Sequence, residues 1–249
     1  MQNFPRRVAP PLLALAGLCC GLSAQADATL PGSTLLTAAY KTQLETWLGE
    51  GRLGLNRVYA KAAGDTSLNF HQAADGKGRT FSVMQATNEL GQTWLVGGYN
   101  PQSWSSINAF NMTPDNKDRT AFLFNLSSGA LHRQTPKTPV FDTTGAYQTY
   151  NSANAGPTFG VGHDLFVPAN LSTGGHSWSY SYIDPEHAEF GKSLLDGSTA
   201  HHFNISYGAI EVFTISVVPE PGRDGMLAAG LAGLAGLAWT ARRRRVAPA

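Results

Sequence analysis

The chain has 249 residues, 42% hydrophobic and only 14% charged, with a formal net charge of +1 at pH 7. That length suits one domain of ordinary size plus leader and tail segments, and the near-neutral balance without an interior basic cluster gives no electrostatic footprint for nucleic acid. The two cysteines, Cys19 and Cys20, both fall in the leader, so the domain itself has no disulfide, thiolate metal site or cysteine nucleophile.

Arg6 and Arg7 open the chain, an apolar stretch runs from Leu12 to Leu22, and Ala24-Gln25-Ala26 follows. A positive start, a short apolar run and a small-x-small site are the layout of a cleavable signal peptide over residues 1–26. The mature chain is expected to begin at Asp27. A membrane-spanning helix is disfavoured here, because the run is far short of the roughly 20 residues a bilayer requires and Pro10-Pro11 precedes it. Leu18 also stands where lipidation of Cys19 would require a small residue.

Residues 27–217 form the expected globular domain, with eleven Lys and Arg against fifteen Asp and Glu, so it is mildly acidic. Leu36, Tyr40, Leu44, Trp47 and Leu48 recur at three- and four-residue steps. This spacing predicts an amphipathic helix over residues 33–49, capped by Ser33 and ended by Gly49. Beyond it, short runs rich in β-branched and aromatic residues alternate with glycine and asparagine turns. They predict strands at 55–59, 80–86, 93–96, 120–126, 147–150, 164–167, 177–183 and 203–217, the last broken near Gly208. The expected fold is mainly β (α+β): two antiparallel β-sheets packed as a sandwich with a few flanking short helices. Residues 100–119 and 169–175 read as long polar loops able to present a surface.

Several blocks carry a family resemblance. Ser67-Leu68-Asn69-Phe70-His71 precedes Asp75-Gly76-Lys77-Gly78-Arg79-Thr80-Phe81; Val96-Gly97-Gly98-Tyr99 comes with Ser103-Trp104; Ala121-Phe122-Leu123-Phe124-Asn125-Leu126 follows. The strongest block is Gly156-Pro157-Thr158-Phe159-Gly160-Val161-Gly162-His163-Asp164-Leu165, and Leu194-Leu195-Asp196-Gly197-Ser198 and Ile210-Glu211-Val212-Phe213 complete the order. In this order the blocks resemble the TLDc family, from about residue 53 to 215. The resemblance implies a two-sheet sandwich, with a short helix ending at Phe70-His71. It marks Gly156, Pro157, Thr158, Phe159, Gly160, Gly162, His163 and Asp164 as the family-motif loop. Val161 departs from it, standing where the family usually has a further glycine, so the loop backbone is more restricted there. Eukaryotic members are linked to protection against oxidative damage and to binding a rotary proton pump, roles that an exported, cysteine-free domain does not share.

Direct searches for chemistry find no Gly-x-Ser-x-Gly elbow, His-Glu-x-x-His, P-loop or dinucleotide fingerprint. His163-Asp164 is the best polar pair: it can serve as a base or metal ligand, or both side chains can cap the glycine loop through backbone hydrogen bonds. His176, His187, His201 and His202 stand at no His-x-His or His-x-x-x-His spacing, and the expectation is no metal and no cofactor. Glu211 either lines a pocket or faces solvent. Asn111, Asn125, Asn170 and Asn204 are in sequons but lack an acidic residue two positions earlier, so no glycan is expected. Trp94, Trp104, Trp178, Tyr99 and Tyr182 either form a sugar-stacking surface or fill the core.

At the C-terminal end, Val218-Pro219-Glu220-Pro221 leads through Gly222-Arg223-Asp224-Gly225 to an almost wholly apolar run, read as a transmembrane helix over 226–241, and then to Arg242-Arg243-Arg244-Arg245. This tripartite layout resembles the PEP-CTERM sorting signal of Gram-negative bacteria and assigns residues 218–249 to a sorting tail. Four arginines stay cytoplasmic under the positive-inside rule, and at about 1.5 Å per residue the helix is shorter than a core of about 30 Å, which suits a transient anchor. The resemblance implies an exosortase-type membrane protease as processing partner and delivery to the cell envelope or extracellular polysaccharide matrix. Three functions follow as expectations. The favoured one is a non-catalytic binding or structural protein with no assigned catalytic residue, the second a carbohydrate-binding module, the third a hydrolase using His163 and Asp164.

Overall fold

Short apolar runs separated by glycine and asparagine turns build strands, and the computed structural model defines nine of them among residues 29–139, 144–184, 190–200 and 203–219. The expected signal peptide, Glu220 and Pro221 of the expected sorting motif, the expected transmembrane segment and the arginine cluster lie outside the described residues. Two helices, α1 (Ala38–Leu48) and α2 (Ser67–Ala74), accompany β1 (Leu53–Ala60), β2 (Thr80–Thr87), β3 (Thr93–Asn100), β4 (Ile107–Met112), β5 (Phe122–Asn125), β6 (Ala130–Gln134), β7 (Tyr147–Ser152), β8 (Tyr182–Ile183) and β9 (Ser206–Val217). Seven strands form one antiparallel sheet in the order β1-β9-β2-β3-β5-β6-β8, and β4 pairs with β7 in a second. The fold is therefore mainly β, a sandwich of two antiparallel sheets with flanking helices, as the sequence predicts, but its two sheets are of very unequal size.

Side chains of the large sheet alternate between two cores, as the period of two along a strand requires. Phe81 and Val83 of β2 join Leu36, Leu44, Tyr99, Phe122 and Phe124 on the face that α1 covers. Met84 and Ala86 join Phe70, Trp104, Phe159 and Leu165 on the other. Fully burying each such Phe or Leu contributes about 1.5–3 kcal/mol, so the two cores together carry the fold. The second face is covered chiefly by irregular chain, α2 and the small sheet. The pair Gly97-Gly98 in β3 lets both cores close. A Cβ on Gly97 would lie 2.0 Å from the Ser82 carbonyl oxygen and 2.7 Å from the Phe124 ring, and one on Gly98 2.5 Å from the Phe159 ring.

Four expectations are corrected. The helix begins at Ala38, capped by Thr37, whose Oγ1 accepts from the Tyr40 amide at 3.2 Å, and ends at Gly49 with φ 76°. Ser33, predicted as the cap, stands upstream; its Oγ accepts from the Leu35 and Leu36 amides and donates to Glu211 at 2.5 Å. The stretch 100–119 is not one polar loop but contains β4, and β6 was unseen because Ala-Leu-His-Arg-Gln shows no clean alternation. The last strand is unbroken from Ser206. Gly208 and Ala209 face only Gln85 of β2, a bulge in the ladder and not an end to it.

Gly97→Ala tests this packing, because neither a carbonyl in the sheet nor an enclosed ring can yield easily. The substitution is expected to lower unfolding free energy by about 1–3 kcal/mol, with the denaturation midpoint falling and the m-value unchanged.

Candidate functional site

The loop of residues 156–164 follows β7 and closes on itself. The Tyr150 amide donates to the Thr158 carbonyl at 3.0 Å, the Phe159 amide to Leu165 at 3.0 Å, and the His163 amide to Gly160 at 3.2 Å. Thr158 Oγ1 donates to the Gly156 carbonyl at 3.0 Å, and Leu171 and Val167 pack so close to Gly156 that a Cβ there would lie 2.6 Å from Leu171. Phe159 is wholly buried, edge-on to Trp104 at 5.4 Å. Gly160 takes φ 79°. Val161 fits without a left-handed backbone, and its amide donates to Ser181 Oγ at 2.9 Å.

Asp164 and His163, adjacent in sequence, are turned apart. Asp164 is 1% exposed, and its Oδ2 accepts from the amides of Tyr180 at 2.5 Å and Tyr182 at 2.8 Å. Its main-chain carbonyl accepts from the Trp178 amide at 3.1 Å and Ser177 Oγ at 2.9 Å. One residue thus wraps the 177–182 segment around itself. This explains why 177–183 is not the predicted strand: two of its amides serve a carboxylate, and only β8 remains to pair with β6. The 164–167 stretch likewise makes only the isolated bridges Phe159–Leu165 and Phe166–His176. Oδ1 of Asp164 has no hydrogen-bond partner and sits where a Cβ on Gly160 would be, 1.9 Å away, so no other residue fits at position 160. Burial raises the Asp164 pKa to about 7 against the pull of the backbone amides.

His163 takes φ 55° and faces outward into a run of half-buried rings. It stacks on Tyr150 at 5.1 Å, Phe166 at 5.1 Å and His176 at 5.8 Å. Phe110 extends the run by contacting Tyr147 and Tyr150, and Phe203, 55% exposed, meets His176 at the far end. Tyr150 donates its hydroxyl to Asn108 Oδ1 at 2.7 Å. Burial first, and then neighbouring His176, hold the His163 pKa below that of a free imidazole, which favours its neutral form. The rings of β7 share a face because of a bulge: Asn111 and Met112, adjacent in β4, pair with Thr149 and Tyr147, which leaves Gln148 extra and puts Tyr147 in line with Tyr150. A strict alternation pattern cannot show this, and the sequence reading missed Phe110, Tyr147, Tyr150, Phe166 and Phe203.

The other candidates are bound into the structure. His71 is buried, its Nε2 donating to the carbonyls of Ser152 at 2.8 Å and Ala155 at 3.0 Å, while Nδ1 is hydrogen-bonded to Asp75 Oδ1 at 2.7 Å. Ser106 donates to the other oxygen of Asp75 at 2.6 Å. The order is serine, aspartate, histidine, so it is no nucleophile relay: the histidine's remaining nitrogen is committed to backbone. Glu211 does not face solvent. It is 1% exposed, and although burial is the largest single influence and pushes its pKa up, the hydrogen bonds from Ser33, both donors of Thr34 and Arg57 at 2.8 Å together bring it below the ordinary value. Of the expected sugar-stacking rings, Trp104, Tyr99 and Tyr182 are buried and Trp94 is half-buried against the core, leaving Trp178 exposed. Asn125 is buried too, its amide donating to Leu194 and Leu195. No group of three metal-ligating side chains occurs among the described residues, and His187, His201 and His202 lie outside them. No model of a known protein family matches this chain, and no curated protein is detectably similar to it.

The Asp164 carboxylate has a signed consequence for stability. Its folded pKa of about 7 exceeds the ordinary value of 3.8, so the stability it contributes is full at low pH and lost as pH rises toward 7. His163, held low, acts in the opposite sense, losing stability as pH falls below 6.5. Comparing wild type with Asp164→Asn isolates the first effect. Between pH 4 and 7.5 the wild type should lose on the order of 4 kcal/mol relative to the variant in denaturant titrations. A difference that stays flat would show that the amides keep the carboxylate ionised throughout.

Proposed function

We propose that this is an exported, non-catalytic TLDc-like domain that binds a component of the cell envelope or extracellular polysaccharide matrix, delivered there by its sorting tail. The observation that supports the reading is the open band of rings from Tyr147 through Phe110, Tyr150, His163 and Phe166 to Phe203. Half-exposed aromatic rings in contact are the anchors on which binding surfaces rely. The groups that a hydrolase would use are committed elsewhere: Asp164 to amides, His71 to carbonyls, Glu211 to Arg57 and the segment before α1. His163 therefore acts as a ring in the band and not as a base. Carbohydrate is the second reading, favoured by the Tyr150 hydroxyl at the band's centre, which sets a polar group beside apolar faces as a sugar requires.

Two measurements test the reading. Intact mass of the protein from its native host should show loss of residues 1–26 and of the segment from about Val218 onward; retention of Arg242 to Arg245 would leave a permanent anchor and sink the sorting proposal. Co-sedimentation with matrix extracted from that host should be weakened about tenfold or more by the combined change Phe110→Ala and Tyr150→Ala, since interface rings carry about 2 kcal/mol or more each. Unchanged retention would remove the band from the account, and ester or glycoside turnover abolished by His163→Ala would restore the enzyme.

A further inference from the structure

A second site lies across the large sheet from the band, beside the end of α1. Trp47, Leu48, Glu50, Tyr99, Arg119 and Arg133 line a half-enclosed cleft of about 260 Å³. Glu50, the cleft's carboxylate, is already held by Arg79, whose Nη1 donates to its two oxygens at 2.8 and 2.6 Å. Arg119 is held in place by bonds that include the backbone carbonyls of Thr113 at 3.0 Å, Thr135 at 2.6 Å and Pro114 at 3.1 Å. Arg133 donates from Nη2 to the Trp47 carbonyl at 2.9 Å and lies over the Phe122 ring at 5.4 Å. Among the described residues it has no carboxylate partner, and its Nε and Nη1 make no hydrogen bond.

We propose that this cleft binds a small ring bearing a carboxylate. The Arg133 guanidinium, in a partly enclosed, lowered-dielectric space, attracts an anion more strongly than it would on an open surface. The planar fork of Arg133, with one edge still unengaged, matches a carboxylate in two parallel hydrogen bonds. Trp47 and Leu48 supply an apolar wall for the ring that carries it. The volume sets the size: it is below the roughly 300–1,000 Å³ of sites for larger ligands, so the cleft takes one ring and excludes a nucleotide. Two sources share this chemistry, the uronic-acid residue of an acidic polysaccharide and a free aromatic acid. The inference stands on the cleft alone and does not depend on the ring band.

The test is a titration of the purified full-length protein with D-glucuronate, benzoate, acetate and glucose, read by tryptophan fluorescence, which Trp47 reports, and by thermal shift. Glucuronate or benzoate should saturate the signal and raise the melting temperature, with the tighter of the two identifying the source. Glucose should do neither, and added salt should weaken binding. Arg133→Gln should weaken it about tenfold or more, as expected for loss of charge-assisted hydrogen bonds. Arg133→Lys keeps the charge without the fork and should fall between; it decides the matter should the glutamine variant fail to fold. Saturation by glucose at equal concentration, acetate binding as tightly as the ring acids, an unchanged affinity in the arginine variants, or no saturable response to either ring acid would each overturn the proposal. Matrix retention by the ring band is read in a separate assay, so either reading can fail alone.

Discussion

One face of the seven-stranded sheet is roofed mainly by irregular chain, and every backbone amide and carbonyl in that roof has to find a partner out of reach of water. A second full sheet would supply those partners through its own ladder. Here side chains supply them. Asp164 serves Tyr180 and Tyr182, His71 serves Ser152 and Ala155, Asn125 serves Leu194 and Leu195 together with Ser127 and Ser128, and Gln134 spans from the Ala121 amide to the Gly145 carbonyl. Each such group left without a partner costs about 1–3 kcal/mol, a large share of the net stability of a domain this size. The buried polar residues are what allow loops to behave as a layer.

The same constraint decides which polar groups are spent inside the fold. Asp164, His71 and Glu211 are turned inward and hydrogen-bonded there to backbone and side-chain groups. What the fold leaves outward is of a different kind. On the roof side it is a run of rings whose bodies are packed and whose edges are wet, and beside α1 it is the fork of Arg133 in a shallow enclosure. The two surfaces differ in charge and lie on opposite sides of the sheet, so occupation of one places no steric limit on the other.

Much of the architecture was legible in the sequence because it rests on local pattern. The three- and four-residue recurrence of Leu36, Tyr40, Leu44 and Trp47 finds α1, and alternation finds β1, β2, β3, β5, β7 and β9. Gly160 was conspicuous for a reason the structure makes concrete, a left-handed φ and a carboxylate filling the space of its absent side chain. The failures are non-local. Nothing in Ser177 to Ile183 says that a distant carboxylate will take its amides in place of a strand. Nothing in Tyr147 and Tyr150 says that a bulge at Gln148 will bring them onto one face. Glu211 was ambiguous for the same reason, since Ser33 and Arg57, which neutralise it, lie more than 150 positions away.

The strand order carries a consequence for how the chain comes to be folded. β9, the last strand, lies between β1 and β2, near the beginning, with Leu53 paired to Val217 at one edge of the ladder and Phe81 to Phe213 at the other. A chain emerging from the ribosome therefore holds β1 and β2 apart, with facing edges unpaired, until residues 206–217 arrive. β2, β3, β5 and β6 can pair as they appear, but β1 joins the sheet only through β9, so the ladder is completed by long-range pairing at the end of synthesis, which is slow by its topology. The first strand therefore waits for the last, and β2 keeps an open edge until the chain is nearly complete.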